Sequence, residues 1–208
     1  MPLYRTYSEG NLLLGIWKSD ETTEQLMALL EHMEWYADKL VVLSEKRKHE
    51  WLSVRVLLKY LCGEEKEIAY FPSGKPYLKD ESGHISISHT RGYVAVALHP
   101  SCEVGVDIEQ YGVRVKKVAS RFMRPDEVLA LAGEDEIYSL LLHWSAKETL
   151  FKLLDEEQVD FVRHLRVFPF NLQEKGEFEA CEYRTERHGG YRIQYLTHPD
   201  FVLTWSIR

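Results

Sequence analysis

An α+β fold built as two similar halves is what the sequence predicts, and three observations predict it. Short strand-like runs and longer helix-like runs follow in the order strand, two helices, further strands, and the order then repeats. The stretch 51–61 (WLSVRVLLKYL) aligns without gaps on 144–154 (WSAKETLFKLL) at an offset of 93, matching Trp51/Trp144, Leu57/Leu150, Lys59/Lys152 and Leu61/Leu154. Leu14-Gly15-Ile16-Trp17 precedes Val104-Gly105-Val106-Asp107 by nearly the same offset, 90. A pseudo-twofold pair of α/β halves, 1–100 and 101–208, packed together with a site between them, is the expected architecture. In that arrangement Arg55 of one half corresponds to Glu148 of the other.

Each element follows from local pattern. Runs rich in Val, Ile, Tyr and Phe, bounded by Gly, Pro, Ser or Asp, predict strands over 11–18, 66–71, 84–89, 92–98, 104–109, 165–168, 177–183, 191–196 and 202–207. Helical spacing predicts helices over 21–33, 44–61, 115–132 and 137–154. Ser44 is a fair N-cap, with Glu45 in the first turn where the helix dipole favours an acid. Gly63 is expected to stop the second helix and Gly133 the third. No Pro-, Gly- or Ser-rich linker and no low-complexity tract divides the chain.

Composition excludes several classes. The 208 residues are 45% hydrophobic and 28% charged, an ordinary globular balance that argues against disorder or a fibrous repeat. Apolar runs fall far short of the ~20 residues that span a bilayer, and 1–17 does not read as a signal peptide. Cys62, Cys102 and Cys181 are odd in number and far apart, which predicts no disulfide framework and a reducing cytoplasm. The net charge of −7 argues against a surface devoted to nucleic acid. The charge is uneven, however: 114–124 carries five basic side chains and no acid.

Four stretches could carry chemistry. In Gly105-Val106-Asp107-Ile108-Glu109, strand alternation turns Asp107 and Glu109 to one face and Val106 and Ile108 to the other. Two carboxylates on one face suit a hard divalent cation, although in isolation a solvated strand end explains them better. In the stretch 143–152, Glu148 and Lys152 stand one helical turn apart, either as an ordinary surface pair or as a third acid and a phosphate contact. Ser73-Gly74-Lys75-Pro76-Tyr77 reads as a turn presenting one lysine and is not a Walker loop. A strand over 84–89 ends in Ser88-His89-Thr90, three hydrogen-bonding side chains together. There is no GxSxG elbow, no HExxH and no zinc-ligand spacing, so hydrolase and zinc readings fall away.

In order, these stretches resemble the 4′-phosphopantetheinyl transferases, in particular the larger surfactin-synthetase-activating type. The resemblance rests on Gly105-Val106-Asp107-Ile108-Glu109, on Trp144-Ser145-Ala146-Lys147-Glu148 with Lys152, and on Gly74-Lys75-Pro76 and Ser88-His89 before them. It covers about 44–155 through motifs and the rest through architecture. What it implies is transfer of 4′-phosphopantetheine from coenzyme A to a serine of an apo acyl or peptidyl carrier protein. Mg²⁺ (or Mn²⁺) would be held by Asp107, Glu109 and Glu148, and Lys152 would offset charge on the leaving phosphate. Glu148, directly or through water, would take the serine proton, with Glu127 as an alternative base. Ser88, His89, Lys75, Arg47 and Arg55 would hold the phosphoadenosine end of coenzyme A. Arg47 and Arg55, eight residues apart on one helix, are both able to face one ligand.

The chain is itself acidic and carrier proteins are typically acidic around the modified serine, so a local basic patch must receive the carrier. On a helix over 115–132, Lys117, Arg121 and Arg124 would form one stripe. A cytoplasmic monomer with no membrane and no nucleic-acid partner completes the expectation. The alternative is a non-catalytic coenzyme A- or carrier-binding module of the same fold. Such a descendant would be expected to lose an acid or the lysine, and Asp107, Glu109, Glu148 and Lys152 are all present.

Overall fold

A computed structural model describes residues 3–127 and 133–208. The chain is a mixed α/β protein of two compact units, Met1–Cys102 and Glu103–Arg208, each with its own core.

In the first unit an antiparallel sheet runs in the order β1 (Leu3–Glu9), β2 (Leu12–Lys18), β6 (Tyr93–His99), β5 (His84–Thr90). Thr22 and Gln25 cap α1 (Thr23–Ala28) reciprocally. A short α2 (Ala37–Val42) follows, and α3 (Glu45–Cys62) packs over β2 and β6. Ser44 is the extended residue ahead of α3, and Gly63, at φ +75°, closes it in the left-handed region that glycine adopts without strain. A small hairpin, β3 (Ile68–Tyr70) and β4 (Pro76–Leu78), carries the Gly74-Lys75 turn. The core gathers Trp17, Leu52, Leu57, Val94 and Val96.

The second unit is a five-stranded antiparallel sheet ordered β7 (Val104–Gln110), β11 (Phe201–Ile207), β10 (Gly190–Thr197), β9 (Lys175–Glu182), β8 (Leu165–Val167). The long helix α5 (Glu134–Leu154) lies on β7 and β11. Two short helices, α4 (Val115–Val118) and α6 (Phe161–His164), flank it in sequence.

Several sequence expectations need correction. The helix over 21–33 shortens to α1. The expected helix over 115–132 reduces to α4 and one 3-10 turn, Ala119–Arg121. The backbone leaves the helical path at Val118 (φ −115°, ψ 2°) and again at Phe122 (φ −135°, ψ −25°), and Pro125 further disfavours helical backbone at Arg124; 128–132 lies outside the described residues. Gly133 is not a stop. It is the residue ahead of α5, at φ +68°. β1, α2 and β4 were not foreseen, being short, edge-placed or largely exposed. Among the described residues no helix is long and apolar enough to cross a membrane.

Candidate active site on β7 and α5

Strand alternation builds the site. Gly105, Asp107 and Glu109 share the face of β7 that meets α5. At Gly105 the helix comes so close that a Cβ would lie 2.6 Å from the Thr149 carbonyl oxygen, so only glycine fits there. That close approach brings the next two side chains of the face onto the helix. Lys152 donates from Nζ to Asp107 Oδ1 and to the Val106 carbonyl, each at 2.9 Å. Trp144 donates from its indole to Glu109 Oε1 at 2.7 Å. Buried hydroxyls lock helix to sheet beneath them, with Ser145 and Thr149 at 2.9 and 2.7 Å from the Thr204 hydroxyl on β11.

Three carboxylates therefore converge. Burial, and next the charge of Asp107, push Glu109 up to about 7, with Glu148 adding to the repulsion. Burial and the charge of Asp107 likewise push Glu148 up to about 7. Near neutral pH the cluster carries more negative charge than Lys152 neutralises. Among the described residues no group of three His, Cys, Asp or Glu side chains stands in metal-holding geometry; Lys152 bonds Asp107 and Trp144 bonds Glu109. The donor set, all carboxylate oxygen and mutually repelling, nevertheless suits a hard divalent cation.

Glu127 is enclosed and its oxygens are already spent. Its carboxylate has no exposure; Oε1 accepts from Val167 N at 2.7 Å, and Oε2 from Arg124 N at 2.8 Å and from Lys147 Nζ at 2.7 Å. A group so enclosed cannot meet a hydroxyl arriving on another protein. Lys147 is equally hidden and also donates to the Phe122 and Phe161 carbonyls. This pair escaped sequence reasoning, although a signal exists. His143, Lys147, Leu150 and Leu154 follow helical spacing on one buried stripe of α5, where a lysine needs a partner.

The first unit holds the remaining candidates. His89, exposed at the end of β5, stands 3.5 Å from Glu50 of α3, while Ser88 beside it is buried. Lys75 is half-buried in the turn of the β3–β4 hairpin. The expectation that Arg47 and Arg55 face one ligand does not hold. Arg47 is exposed, whereas Arg55 is 3% exposed and stacks 3.3 Å from the Trp51 ring centroid. Its guanidinium donates to the Trp51 carbonyl at 3.1 Å and reaches the Tyr70 hydroxyl at 3.5 Å. Arg55 thus ties α3 to the hairpin that carries Lys75.

The expected stripe on 115–132 also fails, since no continuous helix is there. Lys117 and Arg121 are exposed. The Arg124 guanidinium is occupied by Asp126 and by the Val162 and Arg163 carbonyls.

No curated protein matches the chain. A family model described as the 4′-phosphopantetheinyl transferase superfamily matches residues 103–206, which include β7, α5 and all three carboxylates. That match covers half of the sequence, and the chain belongs to the 4′-phosphopantetheinyl transferase superfamily.

Proposed function

We propose that the protein is a transferase of the surfactin-synthetase-activating type, moving 4′-phosphopantetheine from coenzyme A to a serine hydroxyl of an apo acyl or peptidyl carrier protein. The observation that carries this reading is the convergence of Asp107, Glu109 and Glu148, with Lys152 on Asp107, inside the matched region. In the reaction the serine oxygen bonds to the phosphorus that bears pantetheine. The bond from that phosphorus to the bridging oxygen breaks, and adenosine 3′,5′-bisphosphate leaves.

Asp107, Glu109 and Glu148 would hold Mg²⁺, or Mn²⁺ in its place. When bound, the cation supplies charge neutralisation and Lewis acidity at the pyrophosphate. The protein's own groups do the rest. Glu148, directly or through a water, accepts the serine proton. Lys152, the cation nearest Asp107, offsets the charge that grows on the leaving phosphate. Lys75, Ser88, His89 and Arg47 contact the phosphoadenosine end, and Arg55 supports them through Tyr70. We place the activity in the cytoplasm and in a monomer.

Incubation with coenzyme A, Mg²⁺ and apo carrier, followed by weighing the carrier, tests the reading. A carrier heavier by one phosphopantetheine supports it. An unchanged mass with both fatty-acid-type and peptidyl-type carriers would sink it.

The carboxylate cluster also predicts a pH signature in metal-free protein. Glu109 and Glu148 bind protons more tightly when folded than when unfolded. Their favourable contribution is therefore complete below about 4.5 and lost as pH rises through about 7. Between those limits the Tm should fall in the wild type and fall less in Glu148→Gln, with a difference of a few degrees near pH 8. Millimolar Mg²⁺ should restore the wild-type Tm at that pH. Parallel Tm curves for the two proteins would show that Glu148 does not bind its proton more tightly in the folded protein.

A further inference from the structure

Three hydroxyls join α5 to the sheet beneath the carboxylates, and one of them does so from the position opposite Asp107. Thr204 of β11 pairs directly across the ladder with Asp107 of β7, so the two side chains share the face that meets α5. Ser145, Thr149 and Thr204 are each 0% exposed. The Thr204 hydroxyl stands 2.7 Å from that of Thr149 and 2.9 Å from that of Ser145. The two helix hydroxyls also reach backbone: Ser145 lies 3.3 Å from the Asp107 carbonyl, and Thr149 lies 3.3 Å from the Thr204 carbonyl.

Packing alone does not ask for these hydroxyls. Valine has the shape of threonine, and burying a hydroxyl is costly unless it is bonded, so an apolar seam would close the same interface more simply. What an apolar seam lacks is direction. Apolar contact lets a helix slide or turn over a sheet, whereas hydrogen bonds fix distance and angle. Counting protons makes Thr204 the centre of the set. Its hydroxyl can donate to only one helix hydroxyl and must accept from the other, so both bonds go together if that oxygen is removed. The place they fix is the one the chemistry needs. Thr149 follows Glu148 directly and stands three residues before Lys152, and its carbonyl fits only because Gly105 has no Cβ. Lys152 in turn is bonded to Asp107 at 2.9 Å.

Resting on the transferase reading, we propose that Thr204 is a positioning residue: its hydroxyl, held between those of Ser145 and Thr149, sets the depth and rotation of α5 at which Glu148 and Lys152 meet Asp107. Thr204 acts through the helix and touches neither substrate nor cation. The cation needs carboxylates from both elements at once, so a small slide of α5 over β7 and β11 would spoil the set while leaving every carboxylate present. Groups that orient metal ligands from behind typically carry roughly 10–100-fold in metal affinity or activity.

The test compares the wild type with Thr204→Val, which keeps the shape and removes the oxygen, and with Thr204→Ser, which keeps the oxygen. Mg²⁺ affinity is read without substrates, from the rise in Tm as Mg²⁺ is added. Thr204→Val should bind Mg²⁺ ~10-fold more weakly, and Thr204→Ser should restore the affinity. At the wild-type midpoint of Mg²⁺ the transfer rate of Thr204→Val should fall about 5-fold from occupancy alone. Its KM for coenzyme A at saturating Mg²⁺ should stay within about twofold of wild type. A merely structural threonine would lower the Tm and leave the Mg²⁺ affinity alone. A folded Thr204→Val with wild-type Mg²⁺ affinity therefore overturns the proposal, however far its Tm falls. Failure of Thr204→Ser to restore the affinity overturns it too, because the oxygen would then not be what matters. If Thr204→Val does not fold, Ser145→Ala decides in its place: it removes one bond of the set and should weaken Mg²⁺ binding ~3-fold, and an unchanged affinity overturns the proposal. Failure of the transferase reading shows elsewhere, in a wild type that modifies neither a fatty-acid-type nor a peptidyl-type carrier, and takes the proposal with it.

Discussion

Asp107→Ala should lower the transfer rate at least ~100-fold, a loss of roughly 3 kcal/mol of transition-state stabilisation, in a protein that still folds. Asp107 is the member of the cluster whose charge reaches both of the others: it pushes up Glu109 and Glu148 and holds Lys152 at 2.9 Å. On the proposed reading its loss would take one ligand from the cation, and it removes the Asp107 contact of Lys152. Stability should survive, because the change removes repulsion from a crowded set of acids. Lys152 also retains its bond to the Val106 carbonyl. Mass spectrometry of the carrier gives the rate, and a thermal melt in the absence of Mg²⁺ gives the fold. A folded variant working near the wild-type rate would end the assignment of Asp107 to the metal.

The second large effect concerns stability. Lys147→Met should cost about 3–5 kcal/mol, because it leaves the Glu127 carboxylate buried with no cation beside it. For a chain of this size that corresponds to a Tm lower by on the order of 10 °C. The pair does more than join two side chains. Through Lys147 and Glu127, the α5 helix is tied to the Phe122 and Phe161 carbonyls and to the Arg124 and Val167 amides. Three stretches, at Phe122–Arg124, at Phe161 and at Val167, thus hang on one ion pair. The double variant Lys147→Met/Glu127→Gln should recover most of the loss, since neither partner is then charged. If the single substitution costs under about 1 kcal/mol, the pair is not what holds these segments to the helix.

Much of the candidate site was legible in the chain. Asp107 and Glu109 share a face because strands have a period of two, and Glu148 and Lys152 share one because helices advance about four residues per turn. Both periods are local, so they survive without knowledge of any partner element. The existence of β7 and α5 and the left-handed close at Gly63 were readable for the same reason.

What sequence alone could not decide was what lies opposite each face. Gly105 is indispensable because α5 crosses there at van der Waals distance, a fact of packing and not of pattern. The family resemblance implied Arg55 as a ligand contact and Glu127 as an alternative base. One is stacked on Trp51 and the other sealed against Lys147, because a buried charge must find its partner wherever the fold provides one. Arg124 drops out of the basic stripe, its guanidinium held by carbonyls 38 and 39 residues further along the chain. β1 and β4 exist through pairing with β2 and β3, their own side chains being too exposed or too few to announce a strand. Local periodicity determined which residues could act together on one element. Desolvation and long-range pairing determined which of them face a neighbour, which face water, and which are spent on holding the fold.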